Sequence, residues 1–208
     1  MSHDHSNLFP ETLPAEPEKA TLEGKNKFFG LWFFLGGETV LFASLFGTYL
    51  ALKNSTAGGP ASEDLFGLGL VFLMTILLLT SSLTSVYAMY HMRNGDYKKM
   101  VLWLAITGLL GIGFLVGEVY EFAHYITEYG FSFQSSAFGS AFFALVGSHG
   151  GHVVFGICWL ITLLVRNAKR GLNLYNAPKF NTFSLYWHFI DVVWVFIFTV
   201  VYLMGKVG

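Results

Sequence analysis

Five long apolar stretches constrain this chain more than any other feature. They run approximately over residues 28–52, 66–92, 101–123, 138–165 and 183–205, each about 22 to 28 residues, enough for a helix to cross some 30 Å of hydrocarbon. Backbone polar groups in lipid must be satisfied within the segment, and no stretch shows the alternating ten-residue pattern of a barrel strand, so the spans are expected to be helices. Turn chemistry separates them: AGGP at Ala57–Pro60, RNGD at Arg93–Asp96 and NAP at Asn176–Pro178. The expected fold is all-α, a polytopic membrane protein with five transmembrane helices. Residues 1–27 are a polar tail and 28–208 a single membrane domain.

Composition excludes several classes. Only 12% of residues are charged and 54% are hydrophobic, against about 25% charged in soluble domains. A net charge of −1 with no basic stripe gives no case for nucleic acid. The tail lacks the basic, apolar and small-residue succession of a cleaved signal peptide, so none is expected. His3 and His5 there are expected to be solvated. The single cysteine, Cys158, is expected to be a small buried hydrophobe.

Basic residues set the expected orientation. The tail, the second loop and the fourth loop hold ten of the 12 Lys and Arg: Lys19, Lys25, Lys27, Arg93, Lys98, Lys99, Arg166, Lys169, Arg170 and Lys179. Lys53 and Lys206 are the two on the other side. By the positive-inside rule the N-terminus is cytoplasmic and the C-terminus external. GxxxG spacings at Gly113/Gly117 and Gly147/Gly151 point to close helix packing. The 22 Phe and the Trp residues read mainly as packing and interface anchors.

The informative residues are the polar ones inside the spans, because a charge at mid-bilayer costs about 2.5 to 3.5 kcal/mol on insertion scales. Glu38 is a lone carboxylate near the middle of the first span. Glu118, Glu121 and His124 recur every three residues on the third. SHGGHVVFG places His149 and His152 three apart on the fourth, and His188 and Asp191 are three apart on the fifth. One reading is a metal site, since Glu-x-x-His on bundle helices builds di-iron centres. Only one such pair, Glu121 and His124, is present, so a free-standing di-iron oxidoreductase is the distant alternative. The other reading is a polar network joining helices, with about 0.6 to 2 kcal/mol per interhelical hydrogen bond. A stand-alone proton conductor acting through Glu38 is the third; no single helix carries a continuous polar string for it. His91, at the inner end of the second span, is a candidate proton-collecting surface residue against a background reading of a solvated loop histidine.

Several segments resemble subunit III of the haem–copper oxidases. SLYWHFIDVVWVFIFTVVYLMG is similar to the family's last helix and GSAFFALVGSHGGHVVFG to its penultimate one. GEVYEFAHY is similar to the helix before that, and FFLGGETVLFASLF to the helix bearing an intramembrane carboxylate. The likeness runs from about Leu22 onward, in order. Five helices resemble the bacterial form without the first two of seven. LEGKNKFFGLWFFLGGETVLFASLF, TSSLTSVYAMYHM and AKRGLNLYNAPKF look most like the cytochrome c oxidases of Gram-positive bacteria, with the quinol oxidase form as the alternative.

The resemblance implies a non-catalytic subunit of a proton-pumping terminal oxidase in the bacterial cell membrane. The enzyme reduces dioxygen to water and conserves energy as a proton gradient. Haem and copper are expected in partner subunits, with no cofactor and no metal in this chain. The main contact is expected to be subunit I, with subunit II, a candidate small subunit IV and membrane phospholipids as further partners. The subunit is expected to support proton uptake and catalytic lifetime. Residue by residue, Glu38 takes the place of the family's carbodiimide-reactive carboxylate. Glu118, Glu121, His124, His149, His152, His188 and Asp191 form the expected structural polar network. The absent pair of helices walls a lipid cleft in seven-helix members, so another subunit is expected to supply that wall.

Overall fold

The computed structural model describes residues 21–60, 62–168 and 171–207. His3, His5, Lys19, Lys169 and Arg170 lie outside them. All regular structure among the described residues is helical: α1 Leu22–Leu52, a short α2 Ser62–Leu65, α3 Leu68–Arg93, α4 Tyr97–Tyr129, α5 Ala137–Asn167 and α6 Ala177–Ile197. A π-helical segment, Phe198–Leu203, and the short α7 Met204–Val207 complete the chain. Five are long and apolar enough to cross a membrane: α1, α3, α4, α5, and α6 continued to Lys206.

The helices outrun the apolar stretches, because their ends are set by caps as well as by hydropathy. Thr21 accepts from Gly24 N at the start of α1, six residues before the expected span, and Ser136 accepts from Gly139 N at the start of α5. Pro178 sits in the first turn of α6, where its missing N–H costs nothing. α4 continues six residues past Ala123 and stops at Gly130, whose φ of 60° closes the helix in the left-handed region.

α3 and α4 run together as an antiparallel hairpin across the turn at Asn94–Asp96, and α6 packs against α1, α3 and α5. The close approaches use glycines other than the GxxxG pairs taken whole. Trp187 of α6 lies between Gly111 of α4 and Gly156 of α5, where a Cβ at either would come within 2.8 Å of the indole. Gly117 does face Met74 closely, whereas a Cβ at Gly151 would meet no packing neighbour among the described residues within 4 Å. Large apolar side chains such as Phe33, Val40, Leu109, Val119 and Val165 face outward, as a lipid-facing surface requires. Cys158 shares that outward face of α5 with Val154, Phe155 and Ile161, and is exposed, contrary to the burial expected of it. Its helical position turns it away from the Ile157 and Leu160 side.

Candidate functional site

The intramembrane polar residues fall into separate groups. Glu38, midway along α1, meets His152, midway along α5, with Glu38 Oε2 2.9 Å from His152 Nε2. The other ring nitrogen, Nδ1, lies 2.7 Å from Ser148 O, one turn back on α5. A carbonyl only accepts, so Nδ1 carries a proton. The Nε2 link therefore holds one proton between imidazole and carboxyl, either as a neutral pair or as an ion pair. Phe42 packs on the imidazole at 5.2 Å, and Tyr186 Oη donates to His152 O over 3.0 Å. A helix–helix contact, a backbone bond and an aromatic wall thus fix one proton site.

His149 does not join this pair. Three residues on a helix also turn by about 60°, enough here to aim His149 at α6 instead of α1. It is fully buried, its Nε2 donates to Ile190 O at 3.3 Å, and Phe114 and Trp194 flank its ring at 5.5 and 5.1 Å. Glu118 lies close by, its carboxyl against the backbone of Gly150, where any Cβ would collide with it. Neither Glu118 oxygen accepts a hydrogen bond from the described residues.

Glu121 forms its own group toward the other end of α4. Tyr125 and Tyr202 both donate to it over 2.8 Å. Tyr202 belongs to the π-helical segment Phe198–Leu203. That segment widens the turn and shifts the register of the residues after it, and such bulges mark functional sites in many helices. No signal in the apolar run IFTVVYL announces it.

His188 and Asp191 lie on the α3 side of α6. Ser82 Oγ is 2.6 Å from His188 Nδ1, and Asp191 is buried. Two nearby indoles also bond to α3: Trp187 Nε1 donates to Ser81 Oγ at 2.9 Å and Trp194 Nε1 to Thr75 Oγ1 at 3.0 Å. Sequence reasoning misses these serines and threonines. Their spacing, Thr75, Ser81, Ser82 and Ser85 in an apolar run, is the signal that could have found them.

His124 departs from the expected network. It is exposed and stacks on Tyr120 at 6.3 Å with an interplanar angle of 1°, while Glu121 turns to the tyrosines. The di-iron geometry is therefore not assembled: Glu121 and His124 diverge, and His149 and His152 address different helices. Among the described residues no three His, Cys, Asp or Glu side chains gather as a metal site would need. His91 lies 3.8 Å from Asp96, which also binds Lys99 Nζ at 3.0 Å. The Lys99 hydrogen bond and charge hold the Asp96 carboxyl below the usual range.

A cleft of about 490 Å³ opens between α1, α5 and α6 at the basic end of the bundle. Lys27, Arg166 and Lys179 rim it, and Phe34, Phe155 and Trp159 line it below. In the sequence these cations bear only on orientation. Their convergence over aromatic side chains is a feature of the fold.

Comparison with known proteins agrees with this architecture. The family described as Cytochrome c oxidase subunit III matches residues 18–206. The chain is 71% identical to cytochrome c oxidase subunit 3 of Bacillus subtilis (strain 168) over 198 residues, which is 95% of this chain and 96% of that one. It is 69% identical to cytochrome c oxidase subunit 3 of Bacillus sp. (strain PS3), over 99% of this chain and 100% of that one. Against quinol oxidase subunit 3 of Bacillus subtilis (strain 168) identity is 48%, over the whole length of both. A bundle of five membrane-length helices, with these polar groups at mid-helix and these relatives, belongs to the cytochrome c oxidase subunit III family.

Proposed function

We propose that this chain is the subunit without redox centres in a proton-pumping cytochrome c oxidase of the bacterial cell membrane, packing on subunit I and supporting its proton uptake and working lifetime. The observation that carries the reading is the likeness of nearly the whole chain to cytochrome c oxidase subunits 3. Lower identity to the quinol oxidase relative supports cytochrome c as the electron source. The geometry adds a reason for a supporting role. The carboxyls Glu118 and Glu121 are buried, and the one shared proton of Glu38 and His152 joins two helices.

The cleft between α1, α5 and α6 is the place for the phospholipid expected of the family. Three cations suit a phosphate at the headgroup level, and the aromatic side chains below suit an acyl chain. In a five-helix chain the open side of this cleft is then closed by another subunit. The orientation that fits is the one with this basic end in the cytoplasm. A reporter fused to the C-terminus should be active only outside.

The decisive experiment is to tag the chain, extract it in mild detergent from its own membranes, and take a reduced-minus-oxidised visible spectrum with metal analysis. Haem and copper should come down with larger subunits and leave when the chain is stripped bare. Iron retained by the bare chain would overturn the assignment of the redox centres to the partners.

A further inference from the structure

The seam between α3 and α6 holds a row of polar side chains that the oxidase reading does not use. At the Arg93 end of the bundle a cleft of about 340 Å³ opens there, with Tyr90, Arg93, Asn181, Ser184 and His188 among its lining. From it the contacts run inward in one line. Ser184 Oγ lies 3.4 Å from His188 Nε2, with Ser85 Oγ 2.9 Å away as a side branch. His188 Nδ1 lies 2.6 Å from Ser82 Oγ. Ser82 thus meets α6 at His188, and Asp191 follows three residues on along the same face of α6, its two carboxyl oxygens buried and accepting no hydrogen bond from the described residues. From Asn181 to Asp191 is about 15 Å of helix, half the depth of a hydrocarbon core.

An imidazole held between two hydroxyls passes protons by exchanging tautomers, since each ring nitrogen both donates and accepts in turn. Past Asp191 the row closes. The next hydroxyl on the seam, Thr75, is committed to Val71 O at 2.8 Å and to the Trp194 indole. An unpaired charge at this depth is expensive, so a proton reaches or leaves Asp191 only along hydrogen-bonding groups.

We propose that this row is a proton lane that loads and unloads Asp191 from the Arg93 end alone. A proton from water in the cleft binds His188 Nε2, directly or through Ser184. The Nδ1 proton passes to Ser82 Oγ, and the Ser82 hydroxyl proton passes to the Asp191 carboxylate. One proton has left the cleft, one has joined Asp191, and His188 has exchanged tautomers. Reorientation of the ring and the hydroxyl resets the lane. Among the described residues, Arg93 and Tyr90 of α3 share the cleft with His188, and Asp191 follows it by three residues on its own helix.

The test is deuterium exchange of the Asp191 carboxyl in the intact purified complex, monitored by infrared spectroscopy. Asp191→Asn should remove one carboxylic C=O band, which identifies it. After transfer to deuterium oxide that band should shift promptly in the parent complex, and at least about tenfold more slowly in Ser82→Ala and in His188→Phe. Ser85→Ala, off the line, should leave the rate unchanged. If His188→Phe fails to assemble, Ser82→Ala carries the test. Unchanged exchange in Ser82→Ala would overturn the lane, as would an Asp191→Asn complex that loses no carboxylic band. Assembly is scored separately by the haem spectrum, so failure of the oxidase reading would be seen as such.

Discussion

His152 Nε2 and Glu38 Oε2, 114 residues apart in the chain, meet at 2.9 Å between two helices, while the opposite ring nitrogen is tied to Ser148 O. Nδ1 therefore keeps its proton, and Nε2 is the one ring position left to link with Glu38. Glu38→Gln should keep this contact, because the amide donates to a neutral Nε2. Glu38→Ala should leave that nitrogen without a partner, at a cost of about 1 to 3 kcal/mol. Thermal melting of the solubilised complex should separate the two, with Gln near the parent and Ala clearly below it. Equal loss in both would mean that the carboxylate charge, not the hydrogen bond, holds the helices.

The same pair makes a labelling prediction. The Glu38 side chain keeps 16% of its surface accessible, whereas Glu118 and Glu121 on α4 are each 3% exposed. A hydrophobic carbodiimide should modify Glu38 and spare both others, as peptide mass spectrometry can read. Modification of Glu118 at a similar rate would show that the seam around Gly150 opens to lipid.

Trp187 gives a sharper packing prediction. Gly111 and Gly156 press on it from two helices, each with room for a hydrogen and not for a methyl group. The indole also donates to Ser81, so it cannot swing aside without leaving a buried N–H unpaired. Gly156→Ala should cost about 1 to 3 kcal/mol by overpacking. Gly151→Ala, one turn away with open space around it, should be neutral. The measurement is the melting midpoint of the detergent-solubilised chain by size-exclusion recovery after heating. Equal midpoints for the two variants would refute the clamp.

Helical periodicity limits how much of this was legible in the sequence. The five spans and every buried carboxyl stood out, because a charge in an apolar run is costly enough to be conspicuous. Their partners did not. Spacing of three residues says that His149 and His152 lie on adjoining faces, but which helix each face meets depends on packing. So Glu38 with His152, and Ile190 with His149, became visible only in the fold. His124 shared the spacing of Glu118 and Glu121, yet each three-residue step turns by about 60°, and the second step carries it off the buried side of α4 that Glu121 and Tyr125 keep. The glycines that matter were hidden for a similar reason. Gly111 and Gly156 do not share a GxxxG repeat, since each answers to one tryptophan on a third helix.

Tyr202 tests the role of the π-helical segment. It lies in the segment Phe198–Leu203, where the register changes, and donates to Glu121 from there. Tyr202→Phe removes one of two donors to a buried carboxyl and should destabilise by about 1 to 3 kcal/mol. Adding Tyr125→Phe should cost more than the sum of the single changes, since the first variant still leaves Glu121 one partner. A strictly additive double variant, measured by the same melting assay, would mean that the tyrosines contribute by packing alone.

Asp96 supplies the pH dependence. It sits at the start of α4, exposed, with its carboxyl lowered first by the hydrogen bond to Lys99, then by the Lys99 charge and by His91. A group whose folded value is depressed adds stability above its unfolded value, about 3.9 for aspartate, and loses it as pH falls through the folded one. Its contribution is thus complete at neutral pH and disappears only in acid. Asp96→Asn should lower the melting midpoint slightly and uniformly from neutral pH down to the ordinary carboxylate range, and the difference should vanish below it. Asp96 stays anionic across that whole neutral range, so His91, 3.8 Å away, faces a fixed negative charge during turnover. If His91 gathers protons for the complex, His91→Asn should change the pH profile of oxygen consumption while lowering the melting midpoint by less than Asp96→Asn does, since Lys99 remains. An unaltered profile would reduce His91 to a surface residue of the turn.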